Sequence, residues 1–233
     1  MAAKTAQTLR GEQAKQQLLE AAIAIFGKSG LDGATTRNIA QHAQQNIAAI
    51  AYYFGSKEGL YLAVVQHIAD KLRAEFAPLI ESIDRFFAET PKPYPQAQIL
   101  AFIHQGMVSY NRLIFEKSSI NISRIMSHEQ LTPTEAYSVM HDQGLAPIYS
   151  RLNKLIANYI GADERHISTQ IHTHALLGEI LSFRLAREAL LRQTGWDNIG
   201  VKEYELINHV LSQHINLLLD GLSAQTVSQP QVE

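Results

Sequence analysis

The segment from Thr35 to Leu60, TTRNIAQHAQQNIAAIAYYFGSKEGL, constrains the fold of this chain more than any other feature. Two short stretches with helical apolar spacing, 36–43 and 47–54, flank a polar turn, Gln44–Asn46. Thr36 and Asn46 are suitable N-caps, because their side chains can accept hydrogen bonds from the free amides at a helix start. The sequence therefore predicts a helix-turn-helix, in which two short helices are joined by a tight turn.

Longer helical patterns lie on both sides of this pair. Downstream, Gly55 interrupts the pattern, and Ser56 can cap a long helix that begins at Lys57. Upstream, between residues 11 and 29, apolar residues recur at steps of three and four. They form one helical face, made of Leu18, Leu19, Ala22, Ile23 and Phe26.

The rest of the chain is also helical in pattern. Three prolines, Pro91, Pro93 and Pro95, interrupt any helix and predict a loop. No stretch shows the apolar and polar alternation of a strand, so the predicted fold class is all-α. The predicted divisions are a flexible N-terminal arm (1–10), a helix-turn-helix domain (11–56), a linking helix and loop (57–90), a C-terminal helical domain (91–222) and a disordered tail (223–233).

Composition narrows the class of protein. The chain has no cysteine, which excludes disulfides and thiolate metal sites. It has no apolar run of about 20 residues and no apolar segment typical of a secretion signal, so we expect a cytoplasmic protein without a membrane partner. Up to Arg73 there are eight Lys and Arg against five acids, and the remainder is acidic. A basic N-terminal part favours a polyanionic partner.

The sequence offers no motif for catalysis or for a bound metal. It contains no zinc-protease motif, nucleophile elbow, phosphate-binding glycine loop or dinucleotide fingerprint. His172 and His174 are two residues apart and His209 and His214 five apart, so neither pair shares one side of a helix. We therefore predict that the protein is not an enzyme and holds no cofactor or metal. A helical adaptor or scaffold, which binds other proteins through its amphipathic helices, is one function that this sequence allows.

The segment 35–60, together with the upstream AAIAIFGKSG, resembles the DNA-binding signature of the TetR/AcrR family of bacterial regulators over about residues 11–72. The segments PIYSRLNKLIANYIG and FRLAREALLRQTGW are similar to the C-terminal domain of the CecR-like branch. The resemblance implies an N-terminal DNA-binding domain and a C-terminal domain for ligand binding and dimerisation. It also implies a repressor that binds a palindromic operator in double-stranded DNA as a homodimer and is released by a small-molecule effector.

The resemblance and the chemistry of the side chains divide the candidate DNA contacts into two groups, those to phosphates and those to bases or nearby backbone. Gln44–Gln45 replaces the Gly-Val that many family members carry, so a non-glycine residue needs an unusual backbone conformation in the turn. Small apolar residues early in the second helix allow contact with thymine methyl groups. Phe54 and Ile50 are predicted to be core, and packing between helices is the alternative role of Tyr52 and Tyr53. The phosphate contacts are predicted to be Thr36, Tyr53 and Lys57, and the contacts to bases or nearby backbone Arg37, Gln45, Ala48, Ala49 and Tyr52.

Further residues are implied in the C-terminal domain. Arg124 and Arg184 could bind an acidic effector or pair with neighbouring glutamates. Each candidate could also be an ordinary core residue. The effector candidates are His104, Met107, Tyr110, Arg124, Met126, His128, Tyr149, Phe183 and Arg184. The candidates for the dimer interface, on the last two long helices, are Ala175, Gly178, Leu181, Leu185, Ile207, Val210, Leu211, Leu217 and Leu218.

Overall fold

The computed structural model describes residues 2–115 and 120–228, and every regular element in these ranges is a helix. The all-α prediction is therefore confirmed. In chain order the helices are α1 (Ala2–Gly33), α2 (Thr36–His42), α3 (Ala48–Phe54), α4 (Lys57–Glu89), α5 (Gln96–Phe115), α6 (Ile120–Leu131), α7 (Tyr137–Val139), a π-helical segment (Met140–Leu145), α8 (Ala146–Ile160), α9 (Ile167–Leu185), α10 (Arg187–Thr194) and α11 (Val201–Ser228).

The helices form two compact units. The N-terminal unit contains the described residues of 1–73 and 116–145, and the C-terminal unit those of 74–115 and 146–233. The predicted C-terminal domain, 91–222, therefore differs from the observed unit, because α6 and the segment after it belong to the N-terminal unit. Periodicity shows which face of a helix is apolar, but not which neighbour covers that face.

α6 packs closely against α1. A Cβ atom at Gly27 would lie 2.5 Å from the Cβ of Asn121, so the absence of a side chain at Gly27 permits this approach. The π-helical segment makes a similar contact, since a Cβ at Gly144 would lie 3.1 Å from Cδ1 of Leu72 in α4. Two glycines therefore allow the segment 120–145 to pack on α1 and α4.

A buried carboxylate holds the end of α6. Glu129 is 0% exposed and accepts a hydrogen bond from the Tyr61 hydroxyl in α4 at 2.6 Å. It also accepts hydrogen bonds from the backbone amide of Thr134 at 3.1 Å and from the Thr134 hydroxyl at 2.9 Å. Burial, and then the hydrogen bond to Glu129, raise the pKa of Tyr61. Three donors thus compensate the burial of this charge.

The helix starts in and around the helix-turn-helix follow local hydrogen bonding. The prediction that Thr36 caps α2 is wrong, because Thr35 is the N-cap and its hydroxyl accepts from the amide of Asn38 at 3.2 Å. The Asn46 side chain accepts from the amide of Ala48 at 2.8 Å, although Ile47 is the residue that precedes α3. Ser56 caps α4 as predicted, by accepting from the amide of Gly59 at 3.0 Å.

The ends of the chain differ from the predictions. Residues 2–10, predicted to be a flexible arm, are the first part of α1. Residues 223–228, predicted to be a disordered tail, continue α11. Met1 of the arm and residues 229–233 of the tail lie outside the described residues.

The C-terminal unit is built around one hydrophobic core. α5 and α8 pack together, and both also contact α9 and α11. α4 contributes Phe76 and Ile83 to this core, α5 contributes Ile99 and Ile103, and α11 contributes Leu211. Among the described residues, no helix is both long enough and apolar enough to cross a membrane.

Gln44 in the turn between α2 and α3 has φ 54°, as predicted for a non-glycine residue at this place. Because glycine tolerates a positive φ without the clash that a Cβ causes, Gln44→Gly should raise the free energy of unfolding by about 0.5–1 kcal/mol. Chemical denaturation followed by circular dichroism measures this change. The control is Gln45→Gly, which has no positive φ to relieve and loses the hydrogen bond to Gln17, so its stability should fall. Equal destabilisation by both substitutions would contradict strain at Gln44.

Candidate nucleic-acid interface and effector cavity

α3 has a buried face and an exposed face. Ile50 is 2% exposed, which confirms that it belongs to the core. Ala48 and Tyr52 are exposed, Tyr52 to 82%, whereas Ala49 is half-buried. The high exposure of Tyr52 excludes its alternative role as a packed side chain within this chain.

Tyr53 and Phe54 lie at the side of α3. The Tyr53 ring is half-buried, with its centroid 4.9 Å from that of Tyr52 and 6.3 Å from that of Phe54. Its hydroxyl lies 3.4 Å from where a Cβ at Gly11 in α1 would be. Tyr53 thus packs towards α1 and is still partly accessible. Phe54 is only half-buried, so its prediction as a core residue is only partly correct.

Lys57 has a structural role that the sequence did not predict. Its ammonium group donates to the carbonyl oxygen of Leu31 at 2.9 Å and to that of Ala34 at 3.3 Å. It therefore ties the start of α4 to the chain between α1 and α2. Because an ammonium has three hydrogens, one donor remains for a phosphate after these two bonds.

The other candidate DNA contacts lie on α2 and in the turn. Arg37 is exposed and Thr36 is half-buried at the first residue of α2. Gln45 is half-buried, and its Nε2 donates to Oε1 of Gln17 in α1 at 2.8 Å. This bond orients the Gln45 amide and leaves its own oxygen available as an acceptor.

Two further residues share the exposed face of α3 and were not among the predicted contacts. Ile47 is 49% exposed, and Ala51 is also exposed. Residues 47, 48, 51 and 52 have the spacing of one helical face. Periodicity alone could have found them, because Ala51 lies one turn after Ile47 and both adjoin the predicted contacts Ala48 and Tyr52.

The C-terminal unit contains an apolar cavity of about 50 Å³. α4, α5, α8, α9 and α11 all contribute to its lining, including Leu79, Met107, Leu155, Leu177 and Ile215. This volume is several-fold below the roughly 300 Å³ at which pockets for drug-sized molecules begin, so a molecule of that size must displace the walls.

Two polar side chains line the cavity. Tyr110 is 7% exposed, and burial raises the pKa of its hydroxyl. Arg151 forms a two-bond ion pair with Asp84, at 3.1 Å from Nε and 2.8 Å from a terminal nitrogen. The hydrogen bond to Asp84 raises the pKa of Arg151. The lining thus combines a large apolar area with few polar groups, as is typical of sites for small organic molecules.

The predicted effector residues are divided between the two units. Met107 and Tyr110 line the cavity, and Tyr149 and Phe183 pack on the core around it. His104 bonds to Asn216 in α11 at 2.9 Å, and Arg184, half-buried near the end of α9, does not line the cavity. Three of the predicted effector residues lie on α6, which belongs to the N-terminal unit. Contrary to their prediction as part of a site in the C-terminal domain, they do not line this cavity: Arg124, Met126 and His128.

Some of the predicted dimer residues are buried within the single chain, and others are exposed. Ile207 is 3% exposed and Leu211 is 0% exposed, so both belong to the core of the single chain. Their prediction as interface residues is therefore wrong. Leu185 and Leu217 are 62% and 73% exposed. Of the other predicted interface residues, Ala175 and Gly178 are exposed, and Leu181, Val210 and Leu218 are half-buried.

α9 has an exposed apolar face that continues beyond the predicted residues. Ile167 is 70% exposed and Ile171 is 60% exposed. With Ala175, Gly178 and Leu185, they follow helical spacing along one side of α9. His214 of α11 contacts Glu179 of α9 beside this face. Large exposed apolar side chains in such a continuous row are typical of surfaces that bind another protein.

Two family models match most of the chain. The model described as bacterial regulatory proteins, tetR family, matches residues 18–64. The model for the C-terminal domain of the HTH-type transcriptional dual regulator CecR matches residues 95–222. The first match contains α2 and α3, and the second contains α5 to α10 and most of α11.

Curated relatives agree with these models. The HTH-type transcriptional dual regulator CecR of Shigella flexneri is 46% identical over 222 residues, which cover 95% of this chain and 98% of the relative. The HTH-type transcriptional regulator RutR of Escherichia coli K12 is 37% identical over 95 residues, which cover 37% of this chain and 45% of RutR.

Solved structures share the fold at low sequence identity. HlyIIR, a hemolysin II transcriptional regulator, has a TM-score of 0.59 at 19% identity, with 87% of this chain and 98% of HlyIIR covered. A transcriptional regulator from Rhodococcus sp. Rha1 has a TM-score of 0.54 at 18% identity, with 89% of this chain and 96% of that regulator covered.

The structural role of Lys57 can be measured without DNA. Lys57→Met keeps the length of the side chain but removes both hydrogen bonds, and should lower the free energy of unfolding by about 1–2 kcal/mol. Denaturant unfolding measures this loss. Lys28→Met, at an exposed lysine near the end of α1, is the control and should change stability by less than about 0.5 kcal/mol. If the two variants are equally stable, Lys57 does not tie α4 to the α1–α2 connection.

Proposed function

Because this chain belongs to the TetR family of bacterial transcriptional regulators and carries a CecR-type C-terminal domain, we propose that it is a ligand-released repressor. In this proposal a homodimer binds a palindromic operator in double-stranded DNA and occludes a promoter. A small molecule then binds the C-terminal unit and releases the DNA. The protein acts in the cytoplasm, where its DNA target is, and needs neither a cofactor nor a catalytic reaction.

The exposed face of α3 supports the first step. A helix of this kind fits the major groove of B-DNA, where base edges can be distinguished. Arg37 is exposed on α2, the helix before α3, and Tyr53 is a partly accessible residue of α3 itself. Both are suited to phosphate or base contacts. One helix-turn-helix covers only a few base pairs, so two copies are needed for a specific operator.

The apolar face of α9 supports the dimer. A two-fold interface uses the same surface on both copies, so one self-complementary apolar face per chain is sufficient. Gly178 lies in the middle of this face, and a Cβ there would meet nothing within 4 Å in the chain itself. Leu217 on α11 is also exposed and offers a further apolar side chain to a second copy.

The position of α9, with one side on the cavity and the other side exposed, is the observation that supports a connection between effector binding and the dimer. Its Leu176, Leu177 and Ile180 line the cavity, whereas Ala175 and Gly178 lie on the exposed face. The cavity is too small for a drug-sized molecule, so an effector must move the walls, α9 among them. A shift of α9 changes the dimer surface and with it the spacing of the two α3 helices.

α4 offers a second route for the same signal. Phe76, Leu79 and Ile83 of α4 line the cavity, and the same helix begins at Lys57, three residues after the end of α3. Movement of the cavity walls can therefore act on α4 as a lever. For either route, the effector must bind the form with low DNA affinity more tightly than the form with high affinity.

DNA binding is tested by fluorescence anisotropy with the DNA upstream of the gene for this protein and with random DNA of equal length. The upstream fragment should bind more tightly, and the affinity should fall steeply with salt. Arg37→Ala should weaken binding by about tenfold, because an arginine contact to a base contributes about 1–3 kcal/mol. The control is Arg165→Ala, at an exposed arginine of the C-terminal unit, which should have no effect.

Several outcomes would change this proposal. If neither fragment binds at low salt, the protein is better described as a helical adaptor. Since the Shigella relative is called a dual regulator, a reporter fused to the bound promoter should be measured for both repression and activation. Compounds that release the DNA in the same assay are the candidate effectors.

The dimer is tested at Gly178. Gly178→Arg adds a long charged side chain where the single chain has open space, so the fold should be kept while the second copy is excluded. Light scattering should show a monomer, and operator affinity should fall by at least about tenfold, because one bound half-site loses the contribution of the other. The matched control is Val108→Arg, at a residue that is 42% exposed on α5. If Gly178→Arg remains a dimer, this face is not the interface.

A further inference from the structure

The exposed face of α3 is unusual for a surface that recognises DNA bases. Its members are Ile47, Ala48, Ala51 and Tyr52, and the two large side chains are 49% and 82% exposed. The other described residues of the N-terminal unit leave both of these side chains exposed. An exposed isoleucine costs solvation free energy unless a partner covers it. In a DNA-binding family the partner for this face is the major groove.

This face has very little capacity for hydrogen bonding. The Tyr52 hydroxyl is the one polar side-chain group among these four residues. The neighbouring Asn46 uses its side-chain oxygen to accept from the amide of Ala48 at 2.8 Å. Gln45, in the turn, has its amide nitrogen bonded to Gln17. The face therefore cannot form the paired hydrogen bonds by which Arg recognises guanine, or Asn and Gln recognise adenine.

One feature of the major groove matches an apolar helix face. Among the four bases, thymine alone presents a methyl group there, at C5. The other distinguishing groups are hydrogen-bond donors and acceptors, for which an alanine or isoleucine gives no favourable contact. Alanine side chains also let the helix approach the base edges closely, so that a methyl group and Ile47 can exclude water between them.

We propose that α3 recognises its operator chiefly through the 5-methyl groups of thymine, which Ile47, Ala48 and Ala51 contact. Ile47 is the specificity-determining residue, because it is the large side chain on this face that carries no polar group, and it is 49% exposed. Tyr52 adds a flat ring beside it. The proposal rests on the proposed function in one respect, namely that this chain binds specific double-stranded DNA.

The test uses a chemical change in the DNA that removes the methyl group alone. The probe is the highest-affinity duplex enriched by the purified protein from a random-sequence library. Each thymine of this duplex is replaced in turn by deoxyuridine, which keeps the same Watson–Crick pairing and the O4 acceptor. Loss of one contacted methyl should weaken binding by about fourfold, and loss of the symmetric pair by about fifteenfold.

A variant identifies the side chain that contacts the methyl group. Ile47→Ala should weaken binding to the thymine duplex, but should bind the deoxyuridine duplex about as well as the unchanged protein does. The matched control is Leu131→Ala, an apolar residue of the same unit that is 83% exposed on α6, and it should change neither affinity. Circular dichroism of each variant checks that the fold is retained.

The outcomes separate this proposal from the proposed function. If no duplex is enriched, specific DNA binding itself fails. If a duplex is enriched but binds equally well with thymine and deoxyuridine, methyl recognition is wrong and operator binding stands. If Ile47→Ala weakens both duplexes by the same factor, Ile47 does not contact the methyl group. Sensitivity to deoxyuridine that disappears in Ile47→Ala supports the proposal.

Discussion

The structure of the DNA-binding region depends on how a very short helix is held in place. α3 has seven residues, too few for a stable helix in water by itself. Burial of Ile50 against the rest of the unit, where α3 contacts α1 and α2, supplies the missing stability. The positive φ of Gln44 sets the direction in which the chain leaves α2. Once Ile50 is buried, the opposite face of α3 has to point to solvent, where DNA can reach it.

The same principle operates in α9 on a larger scale. One side of this helix is buried and lines the cavity through Leu177, while the other side exposes Ile171 and Gly178. The described helices of the C-terminal unit bury only the first of these sides, and an exposed apolar row such as the second is typical of a surface that binds another protein. A single helix thereby borders both the cavity and an exposed apolar surface, and in the proposed function it connects effector binding with the second copy.

Much of the DNA-binding region could be predicted from the sequence, because its signals are local. The cap at Ser56 and the unusual backbone at Gln44 depend on residues within a few positions. The cap of α2 was predicted one residue too late, since Thr35 and Thr36 are equally suitable by type. Contacts between distant positions were missed. The bonds from Lys57 to Leu31 and Ala34 join atoms more than twenty residues apart, which no periodicity reveals.

The sequence by itself determined that this protein is helical, that it carries a helix-turn-helix and which of its helices have apolar faces, because propensity, capping and periodicity act within one or two turns. Only the tertiary structure decided which partner covers each face. It placed α6 with the N-terminal unit, buried Ile207 and Leu211 inside the chain, and left Ile47 exposed. Burial depends on the packing of segments that are distant in sequence, and an apolar residue has the same pattern whether its partner is its own chain or another molecule.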